Sequence, residues 1–206
     1  MAKIFTQLRL SLLLTATVIM GTLAPFQSDA QTPSAYDVDE RTGLRMERYR
    51  APVPADVPDA TTLTNDAART MHQNNSAVFI DVYPPKGLGP DPLDGHWVIM
   101  EERFSIPGAI WLPEVGRGSL EPDAFDYFER NLARLSKGDK TAALLFFCTS
   151  DCWQSWNATR RASAMGYTNL FWYPLGSDGW QELNGDVQRI YPVNFLTDAL
   201  DKPEEK

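Results

Sequence analysis

Residues 142–157 read Ala-Ala-Leu-Leu-Phe-Phe-Cys-Thr-Ser-Asp-Cys-Trp-Gln-Ser-Trp-Asn, an apolar run followed by a polar segment that begins at Cys148. The continuous apolarity up to Phe147 predicts a strand that is buried on both faces. A helix is predicted next, from about Trp153 until Gly166, which serves as its left-handed cap. A thiol between such a strand and such a helix lies where backbone N–H groups and the helix N-terminus stabilise a thiolate. The stretch therefore predicts a reactive cysteine.

Strand and helix patterns alternate on both sides of this stretch. Further strands are predicted at residues 77–82, 109–112 and 169–173. One further helix is predicted to run toward His72 and another to cover residues 125–135. The first of these helices is capped by Thr62 or Thr64. Residues 84–104, which hold many prolines and glycines, are predicted to form a long loop. The alternation predicts an α/β fold, a parallel sheet with helices on both faces, whose ligands bind at the carboxyl ends of the strands, near Cys148.

The first thirty residues have the order of a secretory signal. Lys3 and Arg9 form a basic region, residues 10–23 are mostly apolar, and small residues precede a cleavage site after Ala30. The apolar run is shorter than the ~20 residues that a membrane-spanning helix needs. We therefore expect an exported, periplasmic protein with no membrane anchor after processing.

Residues 31–206 have a length that is typical of one domain. Residues 31–59 are rich in Pro, Asp and Ala and are predicted to be an extended leader, residues 60–195 to be the domain, and residues 196–206 to be a charged C-terminal tail. A net charge of −8 argues against nucleic acid and anionic lipid as partners. The chain has two cysteines, too few for a disulfide-stapled scaffold, so the pair is assigned to chemistry or local bracing.

Segments of the chain resemble, in order, the motifs of rhodanese-like domains. They are residues 78–82 (Val-Phe-Ile-Asp-Val), 106–110 (Ile-Pro-Gly-Ala-Ile), 147–148 (Phe-Cys), 166–170 (Gly-Tyr-Thr-Asn-Leu) and 175–180 (Leu-Gly-Ser-Asp-Gly-Trp). Within that family, Cys148-x-x-x-Cys152-Trp153 is similar to the exported group named PQQ-dependent catabolism-associated CXXCW motif proteins. That name implies two residues between the cysteines, whereas this chain has three.

The resemblance implies a sulfurtransferase of the thiosulfate sulfurtransferase type. The catalytic cysteine, here Cys148, accepts sulfane sulfur as a persulfide and passes it to cyanide or a thiol. The loop whose amides cradle the persulfide corresponds to Thr149, Ser150, Asp151, Trp153 and Gln154. Active members carry Arg or Lys five residues after the cysteine, where this chain has Trp153, followed by Gln154. Without a loop cation, transfer from thiosulfate to cyanide is expected to be weak, and phosphatase activity is not expected because the loop lacks the arginine that would clamp phosphate.

Cys152 is the second catalytic candidate. If it lies on the first helical turn, a disulfide with Cys148 is feasible, which would serve reversible redox chemistry or sulfur release. Cys148 is predicted to be the more acidic thiol, with Cys152 resolving its persulfide.

Asp81 and Trp156 are predicted to lie at the substrate pocket. Asp151 is predicted to cap the helix or to interact with its dipole.

Two classes of function stay open. One is an enzyme that moves sulfur or electrons through Cys148, with a sulfur- or thiol-bearing small molecule or protein as donor and no cofactor. The other is a non-catalytic binding or maturation partner that holds a soft metal such as Cu(I) through Cys148 and Cys152, with His72 or His96 as a third ligand. The resemblance further implies a link to a periplasmic quinoprotein dehydrogenase system for alcohol oxidation. Arg160 and Arg161 are predicted to form a solvated face.

Overall fold

A computed structural model describes residues 37–201. The helices are α1 (Asn65–Gln73), α2 (Pro122–Ser136), α3 (Trp153–Ala164) and α4 (Gly176–Glu182). The strands are β1 (Thr61–Thr62), β2 (Val78–Asp81), β3 (Gly87–Pro90), β4 (Trp97–Ile99), β5 (Arg103–Ser105), β6 (Ile110–Trp111), β7 (Leu144–Phe147), β8 (Leu170–Tyr173) and β9 (Gln188–Ile190).

The main sheet has five strands in the order β1-β8-β7-β2-β6, and every neighbouring pair is parallel. Strand β7 lies at its centre, with Phe147 opposite Asp81 of β2 and Tyr173 of β8. The carboxyl ends of three strands therefore meet at one level of the sheet, and Cys148 is the next residue after it. The predicted α/β fold with a parallel sheet is confirmed.

Helices cover both faces of this sheet, as predicted. Because side chains of a strand alternate between faces, Leu144 and Phe146 of β7 pack with residues of α2 and α3, whereas Leu145 and Phe147 pack with residues of α1 and α4. All four side chains are fully buried. Their burial on both faces explains why the run is apolar without interruption.

The helix boundaries follow local signals that the sequence makes visible. Thr64, rather than Thr62, is the N-cap of α1, and its side chain accepts a hydrogen bond from the Ala67 amide at 3.3 Å. Gly166 has a φ of +88°, the left-handed conformation predicted for the residue that ends α3.

The prediction of one long loop over residues 84–104 is wrong. Strands β3 and β4 pair as an antiparallel ribbon, and β5 pairs with β9 in a second one. The register of the first ribbon shifts between Gly87 and Gly89, and Gly89 has a φ of +87°. Glycine and proline are tolerated there because a two-stranded ribbon consists of edges only, and a bulge takes up the irregular backbone.

The predicted leader is packed where the structure describes it. Val38, Leu44 and Val57 are buried in a cluster with Trp153 and Trp156. Residues 37–59 thus cover α3, which is why that helix is buried along most of its length.

The predicted tail is described as far as Asp201, whose carboxylate accepts hydrogen bonds from the Trp97 amide at 2.7 Å and the Asn194 side chain at 3.0 Å. The predicted secretory signal, residues 1–30, lies outside the described residues. Within residues 37–201, no helix is both long enough and apolar enough to cross a membrane.

Candidate active site

The two cysteines lie at opposite ends of one short loop. Cys148 follows β7 and is fully buried, and Cys152, which is 2% exposed, is the N-cap residue of α3. Both are free thiols. The structure thus brings the two predicted catalytic residues together between the central strand and the helix that follows it.

The start of α4 holds one side of this loop. The Ser177 amide donates to the carbonyl oxygen of Cys148 at 2.9 Å, and Ser150 donates to Asp178 through its hydroxyl at 2.8 Å and its amide at 3.2 Å. Gly176 has a φ of +53°, and a Cβ there would lie 2.3 Å from the Cys148 carbonyl oxygen. Glycine is required at this position because the loop and α4 approach backbone to backbone.

Asp151 does not cap the helix as predicted. Its φ of +50° places it in a left-handed turn, its side chain is exposed, and Cys152 takes the N-cap position. A left-handed residue is needed at this point to turn the chain into α3, and aspartate tolerates that conformation better than most residues do. The aspartate therefore serves the turn that leads into α3.

The segment before the domain forms the other side of the loop. The Ala51 amide donates to the Asp151 carbonyl at 3.1 Å, and the Trp153 amide donates to the Tyr49 carbonyl at 2.8 Å. These bonds form an antiparallel bridge between Arg50 and Cys152. The Trp153 amide, which was predicted to help cradle a persulfide, is therefore engaged by the segment before the domain.

This pairing also brings a cation to the loop. The Arg50 guanidinium donates to the Thr149 hydroxyl and, at 2.7 Å, to the Ser150 carbonyl. Arg50 could not be identified from the sequence, where the loop itself showed only that it lacks a cation. Weak transfer from thiosulfate was expected because the loop lacks a cation. Arg50 supplies a cation from outside the loop, so this reason no longer holds.

A cavity of about 560 Å³ opens beside the loop. Of the two cysteines, Cys152 lies on its wall, together with Gln154. The wall also contains the arginines Arg45, Arg48, Arg50 and Arg117. The accessible side of the site is therefore the Cys152 side, and it is strongly cationic in a protein whose net charge is −8.

The two thiols differ in acidity. Burial raises the pKa of Cys148 well above its ordinary value, and its hydrogen bond with Cys152 and the charge of Asp81 raise it further. The pKa of Cys152 is lowered, first by that hydrogen bond from Cys148, then by the nearby Gln154 amide and the positive charge of Arg50. The Gln154 amide acts on the sulfur at close range although no regular cap hydrogen bond forms. These directions make Cys152 the more acidic thiol, which is the opposite of the predicted order.

Asp81 lies beneath the site and not on the cavity wall. Its carboxylate is fully buried, accepts hydrogen bonds from the Ser105 hydroxyl at 2.5 Å and the Tyr83 amide at 2.9 Å, and forms an ion pair with Arg103 at 2.8 Å. Arg103 also donates to the Ser177 hydroxyl at 3.1 Å. The network links β2 and β5 to the start of α4, and the negative charge of Asp81 raises the pKa of both thiols.

The two tryptophans of the site segment are core residues. The indole N–H of Trp153 donates to the Pro52 carbonyl and that of Trp156 to the Asp56 carbonyl, both at 3.0 Å. The two rings meet edge to face at 5.2 Å between centroids. Trp156 was predicted to lie at the substrate pocket, but the structure places it between α3 and the segment before the domain.

Arg161 is not solvated as predicted. It is 7% exposed, and its guanidinium donates to the carbonyl oxygens of Val115 and Arg117, each at 2.6 Å. Burial lowers its pKa to about 10. The residue fixes the loop that carries Arg117 to the cavity. Arg160 is partly covered and lies 3.5 Å from the carboxylate of Asp59.

The predicted third ligands for a soft metal lie elsewhere. The His72 ring contacts the Pro107 carbonyl at 2.8 Å and packs against Phe79. His96 lies 3.5 Å from the carboxylate of Asp201. In the described part of the chain, no group of three His, Cys, Asp or Glu side chains could hold a metal ion.

Several solved structures are similar to parts of this chain. Similar solved structures include an uncharacterized protein from Saccharomyces cerevisiae, with 23% identity, a TM-score of 0.40 and coverage of 60% of this chain and 92% of that chain. They also include the polysulfide-sulfur transferase homodimer from Wolinella succinogenes, with 18% identity, a TM-score of 0.39 and coverage of 63% and 79%. A third is wild-type EanB, with 22% identity, a TM-score of 0.42 and coverage of 67% and 33%.

No match was found among the curated proteins. The family model described as Rhodanese-like domain matches residues 64–183, a range that contains the main sheet from β2 to β8 and both cysteines. The match covers more than half of the chain, so this protein belongs to the rhodanese-like domain family.

Proposed function

We propose that this protein transfers sulfane sulfur through its two cysteines, with Cys152 as the attacking thiolate and Cys148 as the second thiol. The observation that carries the proposal is the position of the two sulfurs. Cys152 lies on the wall of the cavity at a helix N-cap, and Cys148 is fully buried at the other end of the same short loop. The membership in the rhodanese-like family supports sulfur transfer as the class of chemistry.

In the first step, the Cys152 thiolate attacks the sulfane sulfur of a donor. A bond forms between Sγ of Cys152 and that sulfur, and the donor's sulfur–sulfur bond breaks, with its electron pair leaving on the donor remnant. The N-terminus of α3 and Arg50 stabilise the attacking thiolate, because both place positive charge beside Cys152. The product is a persulfide on Cys152.

The persulfide is released by one of two routes. An acceptor nucleophile takes the outer sulfur and restores the Cys152 thiolate. Alternatively, Cys148 attacks Sγ of Cys152, a disulfide forms between them, and the proton of Cys148 leaves with the outer sulfur as hydrosulfide. An external dithiol must then reduce the disulfide. The second route uses the proximity of the two thiols, which lie at the two ends of one short loop.

Intact mass spectrometry tests these roles. After treatment with thiosulfate, the Cys148→Ser variant is expected to gain the mass of one sulfur atom and lose it on reduction, because the serine hydroxyl still donates to the Cys152 sulfur. The Cys152→Ser variant is expected to gain no sulfur, since the remaining thiol is buried and has a raised pKa. Sulfur held by Cys152→Ser and absent from Cys148→Ser would reverse the assigned roles.

Export and a quinoprotein partner form a further part of the proposal. They rest on the signal-like order of residues 1–30 and on the similarity of Cys148-x-x-x-Cys152-Trp153 to the CXXCW motif group. We propose that the protein acts in the periplasm as an accessory to PQQ-dependent alcohol oxidation.

The export proposal predicts a mature protein that begins at Gln31. N-terminal sequencing of the protein recovered from the periplasmic fraction measures this, with the cytoplasmic fraction as the control. A periplasmic species that retains Leu10 to Leu23, or a protein confined to the cytoplasm, would contradict it.

A further inference from the structure

The cavity beside Cys152 is larger and more cationic than a small inorganic donor requires. Its volume of about 560 Å³ lies within the range of roughly 300 to 1,000 Å³ that organic ligands occupy in proteins. Tyr49, Ala51 and Pro84 add an apolar part to its wall. These dimensions and this lining suit an organic molecule with several negative charges.

The arginines of the wall come from two separate parts of the chain. Arg48 and Arg50 belong to the segment before the domain, and Arg117 belongs to the loop between β6 and α2. Arg48 is paired with Asp37 and Arg117 with Glu114. The guanidinium of Arg50, in contrast, has no carboxylate partner within residues 37–201 and contacts only a hydroxyl and a carbonyl oxygen. Arg50 is thus the cation most available to a bound anion.

Gln154 supplies a second, independent sign of a ligand. The residue is 2% exposed and lies on the cavity wall, yet its Oε1 has no hydrogen-bond partner in the described part of the chain. A buried polar atom without a partner destabilises a protein unless something else satisfies it. Because this oxygen accepts hydrogen bonds, an N–H group of a bound organic molecule would satisfy it.

We infer that this cavity binds the organic part of the sulfur donor, a small persulfide that carries more than one carboxylate, and that Arg50 is the residue that selects it. This inference rests on the proposed sulfur transfer to Cys152. The Cys152 thiolate attacks the outer sulfur of the persulfide, the bond between the two donor sulfurs breaks, and the electron pair leaves on the donor thiolate. The proton of the persulfide stays with the transferred sulfur.

The inference makes the segment before the family domain part of the active site. Residues 49–51 pair with the loop from Asp151 to Trp153, so the same backbone contact that orders the loop also delivers Arg50. A guanidinium binds a carboxylate through two parallel hydrogen bonds, which an ammonium or an amide cannot reproduce. Arg50 is therefore a specificity residue in this proposal.

Two persulfides of opposite charge test the inference. Glutathione persulfide carries two carboxylates, and cysteamine persulfide carries an amine and none. The rate of Cys152 persulfidation, divided by donor concentration, is measured for each donor on the full-length mature protein. The wild type is expected to prefer glutathione persulfide. Arg50→Gln is expected to lose about ten-fold to a hundred-fold more with that donor than with cysteamine persulfide, because the effect of Arg50 on the Cys152 thiolate is common to both donors. Arg50→Lys should recover only part of the loss.

Arg189→Gln is the matched control, because Arg189 pairs with Glu102 on the β5-β9 ribbon and not at the cavity. It should behave as wild type with both donors. Equal rates for the two donors in the wild type, or equal losses with both in Arg50→Gln, would overturn the inference while leaving sulfur transfer intact. Failure of both donors to load Cys152 of the wild type would instead refute the proposed function.

Discussion

Serine in place of Cys152 is expected to abolish fast thiol alkylation at neutral pH, although Cys148 remains. The thiolate is the reactive form of cysteine, and Cys148 is fully buried with its pKa raised well above the ordinary value. Burial and a raised pKa both reduce the accessible thiolate of Cys148 at neutral pH, so we expect the rate constant to fall by at least about an order of magnitude. The second-order rate constant with iodoacetamide at pH 7 measures it, with Cys148→Ser as the reactive comparison.

The pH dependence of alkylation separates the hydrogen bond from the other causes of the acidity of Cys152. In Cys148→Ser the hydroxyl still donates to the Cys152 sulfur, so the alkylation midpoint should stay below the ordinary thiol value of 9.0. In Cys148→Ala that donor is lost, and the midpoint should move to higher pH because this hydrogen bond is the largest cause of the lowered pKa. Equal midpoints in the two variants would show that the hydrogen bond has no such role.

Alanine in place of Asp81 is expected to lower the free energy of unfolding by about 3 to 5 kcal/mol, the usual loss when one partner of a buried ion pair is removed. Arg103 would keep its charge with 11% of its side chain exposed, and the Ser105 hydroxyl and Tyr83 amide would lose their acceptor. Chemical denaturation measures the change. Glu102→Ala breaks the exposed pair with Arg189 and should lower the free energy of unfolding by less than about 1 kcal/mol.

The Asp81→Asn variant tests whether the charge of Asp81 acts on the thiols. If Asp81 had only a structural role, the alkylation midpoint of Cys152 would not change. The amide keeps an acceptor for the Tyr83 N–H but removes a negative charge that raises the pKa of both thiols. The alkylation midpoint of Cys152 should therefore fall below that of the wild type. A midpoint that stays in place would show that the charge of Asp81 does not reach the thiols.

The elements closest to the site could be predicted because their signals are local. The apolar run of β7 reports burial on both faces, and Thr64 and Gly166 mark helix ends through their own backbone preferences. Strands that form by pairing with residues far away in the sequence carry no such local signal and could not be predicted. The ribbons within residues 84–104 form because each strand finds a partner, and β5 finds its partner in β9, near the end of the domain.

The roles of the two cysteines show the same limit. Their spacing placed both sulfurs near the end of β7, as the structure has them. Which sulfur faces the cavity, however, depends on residues 49–51, which lie beside Cys152 and leave Cys148 buried. A contact of about 100 residues in sequence separation leaves no periodic or compositional trace, so Arg50 was not identified as a site residue.

The same contact sets the order in which the site is completed as the chain folds. Residues 49–51 are synthesised early, but their partners near Asp151 follow about 100 residues later, and closing so long a loop is slow. A chain that has formed its helices but not this pairing has neither Arg50 at the loop nor a cavity beside Cys152. In such a chain Cys152 lacks the positive charge of Arg50, so efficient sulfur chemistry is expected only once residues 49–51 have paired with the loop.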